Sequence, residues 1–288
     1  MTSQRKKIYF SPIYNFFTIL DYYEFSNYLI YTSKHTSDLQ VNQNSFLSEW
    51  DKSTISISPC WLIINEKAPK YIKSSQIYNI FLLSVWTLSP TEIEMKYKLK
   101  KDDGVTIIFD RFVYNNIDIR KTQYDLKDLD TIKKYFRSYK KIFRTNKRLL
   151  LALDSTYRAC TTYSWKVSFI MYTTALEAIL AYSRNRGITK RLACSYACFI
   201  SDNNSVRDKL YREFYYLYNL RSEIIHGTYK RRKIKSNLKN LSRVAFLVRN
   251  IWQRILRDKT YLFEFEKDDN QRELFLKSFM GNYSPPKI

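Results

Sequence analysis

From Glu92 to Leu99 apolar and charged residues alternate without a break, with Ile93, Met95, Tyr97 and Leu99 set against Glu92, Glu94, Lys96 and Lys98. A period of two puts the apolar set on one face of a half-buried strand. Lys100-Lys101-Asp102-Asp103-Gly104 reads as a turn, and the β-branched and aromatic run Val105 to Val113 completes a hairpin. Thr54 to Ile64 and Ile77 to Leu88 also read as strands, so the spacing predicts a β-rich front. From Tyr124 onward the period changes. Leu126, Leu129, Ile132, Tyr135 and Phe136 keep helical spacing, with Lys or Arg filling the other faces through Arg148. Helices are predicted over Leu149 to Thr162, Trp165 to Tyr182, Thr189 to Ile200, Val206 to His226 and Lys239 to Lys259. In the second of these, Trp165, Phe169, Tyr172, Leu176 and Leu180 form one stripe, and Gly227 is placed to end the fourth.

The expected fold class is therefore α+β, a β-rich domain at 1–123 followed by an all-α bundle at 124–260 and a tail at 261–288. Charge divides at the same boundary. Residues 1–123 carry 15 basic and 12 acidic side chains, whereas 124–288 carry 34 and 15, so nearly all of the net +22 lies in the helical part. An excess on that scale gathers polyanions, nucleic acid first among them, and is also compatible with a solvated Lys-rich surface. With 45% hydrophobic residues over 288 positions, the chain has ample material for a core.

Composition removes most other classes. The longest uncharged run, Ser74 to Thr91, is interrupted by Ser, Gln, Asn, Thr and Pro, so no segment reads as crossing a bilayer. The basic start followed by Ile8 to Leu20 contains Pro12 and Asn15 and no small-residue cleavage site, and is not read as a signal peptide. Cys60, Cys160, Cys194 and Cys198 form no disulfide pattern; the expectation is a soluble, reduced, cytoplasmic protein. Cys194 and Cys198 lie one helical turn apart without a second pair, which points to small core residues rather than a metal site. With two histidines, no Gly-rich phosphate loop and no nucleophile elbow, neither a metal nor a cofactor is expected. His35 sits in a polar loop.

One segment retains chemistry. On the helix beginning at Val206, Val206, Leu210, Phe214, Leu217 and Ile224 fall within about 80° of one another, and Arg221 falls inside that stripe. A guanidinium on an apolar face must be paired, or must line a site or an interface. His226 lies off the stripe at the last turn, with Ser222 four residues before it on the same face. Spacing alone is equally served by an Arg221–Glu177 ion pair and a terminal histidine resting on helix carbonyls.

Arg221 to His226 reads R-x4-H, and the residues around it resemble the Apea-like branch of the HEPN family. Thr173 to Leu180 is similar to the family's "ALEAL" helix, Ile188 to Ala193 to the helix that follows, and Leu217 to Gly227 to its "LYxxRSxIVHG" block. The three blocks occur in the family's order, within roughly Tyr157 to Tyr229. The resemblance implies a HEPN helical bundle acting as a metal-independent endoribonuclease in prokaryotic anti-phage defence or abortive infection. It also implies homodimerisation, with two R-x4-H motifs facing one cleft, which would account for Arg221 on an apolar face. RNA brings its own nucleophile, the 2′-OH; an imidazole exchanges protons near neutral pH, and a guanidinium bonds phosphate oxygens in pairs.

On that basis Arg221 and His226 are the expected catalytic residues, with Glu177, Ser222 and Asn219 supporting them and Lys230, Arg231, Arg232 and Lys233 binding RNA backbone. Relatives paired with a nucleotidyltransferase antitoxin carry tyrosine two residues after the histidine; here Thr228 stands there and Tyr229 follows. The front domain is expected to sense an unidentified phage or host trigger. The alternatives are an inactive HEPN module that binds RNA or a partner protein, and a basic protein acting on DNA.

Overall fold

A computed structural model describes residues 8–33, 48, 53, 55, 60–65, 67–68, 72–91, 93–100, 104–111, 122–145, 147–182, 187–230 and 234–286. The fold is α+β: an antiparallel-sheet region followed by a mostly helical one. The described residues divide into two units, one ending at Arg137 and one beginning at Ser138.

In the first unit, β1 (Tyr9–Pro12), β3 (Tyr22–Ser26), β4 (Leu29–Thr32), β5 (Trp61–Ile64), β6 (Glu94–Lys100) and β7 (Gly104–Arg111) form one sheet in the order β3-β4-β5-β1-β6-β7. All its pairings are antiparallel. Two short strands, β2 (Phe17–Thr18) and β8 (Gln123–Tyr124), pair in parallel beside it. The β6–β7 hairpin is the one expected from the alternation, with Lys100 opposite Gly104 and a register shift between Met95 and Tyr97. The core is aromatic, with Phe16, Phe25, Tyr31, Trp61 and Phe81 all buried. Phe16 stacks on Tyr124 at 4.5 Å and meets Phe81 edge-on at 5.7 Å.

One strand expectation fails and another holds only in part. Ser74–Leu88, including the whole of Ile77 to Leu88, is a helix, α1. Ile77, Tyr78, Ile80, Phe81, Leu82, Leu83, Val85 and Trp86 are all buried. A helix covered on nearly every side has no polar face, so its sequence loses the 3.6-residue period and imitates a buried strand. The Gln76 side chain accepts from the Lys73 amide at 2.9 Å and fixes the helix start. Of Thr54 to Ile64, only Trp61–Ile64 is strand; Ser53 and Ile55 are helical, and 54 and 56–59 lie outside the described residues.

The unit boundary also lies later than expected, within α2 (Leu126–Thr145). The first half of α2 belongs with the sheet because Tyr23 donates to Asp130 at 2.6 Å and Tyr28 lies against Phe136.

The second unit holds the rest of α2 together with α3 (Lys147–Thr161), α4 (Trp165–Leu180), α5 (Ile188–Ile200), α6 (Asn204–Ile225) and α7 (Ile234–Arg257). Short polar turns set the starts, with Ser164 accepting from Val167 at α4 and Asn203 from Val206 at α6. Trp252 of α7 donates to Thr156 of α3 at 3.0 Å, and Tyr196 of α5 donates to the Leu247 carbonyl at 3.2 Å. These bonds satisfy polar atoms that burial would otherwise strand.

Residues 261–288 are not a tail. α8 (Lys259–Glu266) and α9 (Asp269–Ser278) are capped by Asp258 and Asp268 and pack on the bundle. Phe199 meets Tyr261, Phe265, Phe275 and Phe279 at 5.2–6.2 Å, with the Arg254 guanidinium over the group. Arg272, 2% exposed, donates to Asp269 and to the Ala181 carbonyl, both at 2.7 Å. Among the described residues no helix is long and apolar enough to cross a membrane.

Candidate active site at the end of α6

The buried face of α6 runs through Tyr211, Phe214, Leu217, Tyr218 and Leu220, and begins at Arg207 rather than at Val206, which is exposed. The first turn is rotated because Arg207 turns inward, donating from Nε to the Ser201 carbonyl at 2.7 Å and from Nη2 to the Phe279 carbonyl at 3.0 Å. Further along, Phe214 stacks on Tyr218 with planes 14° apart.

Arg221 comes next on this face, and α4 supplies its partner. Arg221 Nη2 lies 3.1 Å from Glu177 Oε2, with the two side chains 23% and 32% exposed. Its Nη1 approaches the Tyr218 hydroxyl at 3.4 Å, and its guanidinium sits 5.2 Å from the Tyr218 ring centroid. Arg221 Nε is buried without a hydrogen-bond partner. The cation is thus held from two sides in a partly desolvated position, where a charge-assisted bond gains strength. Burial, then the Glu177 carboxylate, pushes the Tyr218 phenol up to about 12. The hydroxyl therefore stays neutral and able to accept from Arg221.

α6 ends at His226. Its amide donates to the Ser222 carbonyl at 2.9 Å, and Gly227 turns the chain with a φ of 71° that a side chain would strain. The Tyr229 amide at 3.1 Å and the Thr228 hydroxyl at 3.5 Å both donate to the Glu223 carbonyl, occupying an acceptor that the helix end leaves open. Tyr229 then anchors the turn, its ring edge-on to Trp165 at 5.5 Å and its hydroxyl bonded to Asn237. The His226 side chain is exposed and makes no hydrogen bond or ion pair with any described residue.

Of the expected site residues, Arg221 and Glu177 meet directly. His226 is one end-turn away, about 7.5 Å further along the axis and about 140° around it. Ser222 and Asn219 are exposed, their side chains without partners among the described residues. Lys230 is exposed, and Arg231, Arg232 and Lys233 lie outside the described residues. Tyr218 and Tyr229 were not expected. Tyr218 was within reach of sequence reasoning, since it precedes Arg221 by three residues and shares its face. Tyr229 was not, because its partners Trp165 and Asn237 come from other helices. Cys194 and Cys198 are free thiols, the first half-buried and the second fully buried.

Comparison with protein-family models, with curated proteins and with solved structures finds no match for this chain.

Proposed function

We propose that this chain is a metal-independent endoribonuclease of the HEPN type, acting as a homodimer in which Arg221 and His226 of two copies share one cleft. The observation that supports the reading is a held guanidinium followed, one turn on at the helix end, by a free imidazole. Arg221 is tethered by Glu177 and Tyr218, while five residues later His226 projects from the helix end with no partner among the described residues. A preorganised cation stabilises charge as it develops on phosphate oxygens, and a solvent-facing imidazole is free to exchange protons.

The reaction follows from these roles. One His226 takes the proton of the 2′-OH, and the 2′-oxygen attacks the adjacent phosphorus. The P–O5′ bond breaks, and the same residue of a second copy delivers a proton to the departing 5′-oxygen. The products are a 2′,3′-cyclic phosphate and a 5′-hydroxyl. Arg221 binds the non-bridging oxygens throughout; Glu177 fixes its orientation, and Ser222 and Asn219 reach phosphate or sugar. Lys230, Arg231, Arg232 and Lys233 hold the backbone beyond the reacting nucleotide.

In the cell this activity belongs to cytoplasmic anti-phage defence or abortive infection, with the sheet-bearing unit answering a phage or host trigger. The second reading is an inactive HEPN module that binds RNA or a protein. It is favoured by the same Arg221–Glu177 pair, which a purely structural helix junction would also use. Turnover separates the two. Total cellular RNA incubated in EDTA should be degraded by the wild-type protein and left intact by His226→Ala; equal degradation by both would overturn the assignment of His226.

A further inference from the structure

Besides its buried face, α6 carries a long exposed one, and the chemistry there is ordered. Arg212, Asn219 and His226 are seven residues apart, so they fall almost in line along the helix; Lys209 and Tyr216 form a second row about 60° away. Arg212, Asn219, His226, Lys209 and Tyr216 are all exposed. Lys209, Arg212 and Asn219 make no ion pair or hydrogen bond through their side chains with any described residue.

Two of the three carboxylates of α6 are engaged by other residues. Asp208 accepts from the Tyr283 hydroxyl at 2.9 Å, and Glu213 is bound by Arg243 at 2.6 Å. The third, Glu223, follows Tyr216 in the second row and repels phosphate toward the first. Tyr216 is 37% exposed yet fixed, with the Arg243 guanidinium 5.5 Å from its ring and Asn240 Nδ2 donating to its hydroxyl at 3.5 Å. A stationary aromatic ring among free cations is how single-stranded nucleic acid is held without sequence readout.

We propose that this face of α6 is a track for single-stranded RNA leading to His226. Lys209 and Arg212 take backbone phosphates, Tyr216 stacks a base and Asn219 bonds the sugar-phosphate next to the reacting nucleotide. From Arg212 to His226 the span is about 21 Å, which is about six nucleotides at the stacked rise of about 3.4 Å. The track rests on the reading of His226 as an RNA-cleaving residue, but it is tested by binding.

The probe is a fluorescein-labelled twelve-nucleotide oligouridylate, titrated by anisotropy into full-length His226→Ala so that no cleavage intervenes. Lys209→Glu with Arg212→Glu should weaken binding at least tenfold and lower the slope of log affinity against log salt by about 1.4. Tyr216→Ala should weaken it about tenfold with the slope unchanged. The control is Lys259→Glu, an exposed lysine on α8, which should bind as the parent does. Affinities within twofold of the parent for the track variants, an equal loss in the control, or equal binding of duplex RNA would overturn the track. These measurements need no turnover, so a wild-type protein that fails to cut RNA would count against the catalytic reading while the binding result still decides for or against the track.

Discussion

A guanidinium lodged against an apolar helix face needs a carboxylate in reach, and Glu177 supplies it at 3.1 Å. Arg221 was legible as an anomaly because its position inside an apolar stripe demanded an explanation. Which explanation holds was not legible, because the spacing within α6 says nothing about what α4 brings to it. Tyr218 gives this junction a readable titration. Its phenol is raised to about 12, above the ordinary value near 10. A raised folded value favours the neutral form, so the contribution is complete below about pH 10 and is lost as pH climbs toward 12. The phenolate absorbance lost in Tyr218→Phe should therefore be that of a group titrating near 12; a lost group titrating near 10 would mean that Tyr218 is not buried against Glu177.

Helix ends and helix faces decide what an element offers. The end of α6 was legible at Gly227, since glycine after a periodic run predicts a left-handed turn, and φ is 71°. A Cβ there would meet nothing within 4 Å, so the penalty for Gly227→Ala is one of backbone conformation alone. It should cost about 1 kcal/mol in chemical denaturation, and Gly227→Asn less, because asparagine tolerates that region better. Equal stability of all three proteins would contradict the turn. The strand expected over Ile77 to Leu88 shows the limit of such reasoning, because α1 is buried on nearly all sides and its period is erased. The expectation of a tail at the end of the chain fails for a similar cause. Phe265, Phe275 and Phe279 gain their meaning from Phe199, more than sixty residues earlier, and no local pattern announces that contact. The Phe265→Ala change, which empties a fully buried ring position, should cost about 3–5 kcal/mol and lower the thermal midpoint accordingly.

At the scale of the whole molecule, charge and chemistry converge on the helical unit. The 34 basic residues after position 123 set the electrostatics, and the exposed end of α6 sets the place. One histidine cannot readily serve as base and acid in a single turnover, so the proposed reaction requires two copies. Sedimentation should give a particle of about twice 34.8 kDa under the conditions in which RNA is cut; an active monomer would remove the shared cleft. The decisive comparison uses one RNA oligonucleotide and its twin carrying a single 2′-deoxy position at the mapped cleavage site, each incubated in EDTA with wild type and with His226→Ala. Wild type should cut only the all-ribose strand, leaving a 2′,3′-cyclic phosphate and a 5′-hydroxyl, and His226→Ala should cut neither. Cleavage at the deoxy position would mean that the 2′-OH is not the nucleophile, and undiminished cleavage by His226→Ala that the imidazole is not its base; either result overturns the proposed ribonuclease.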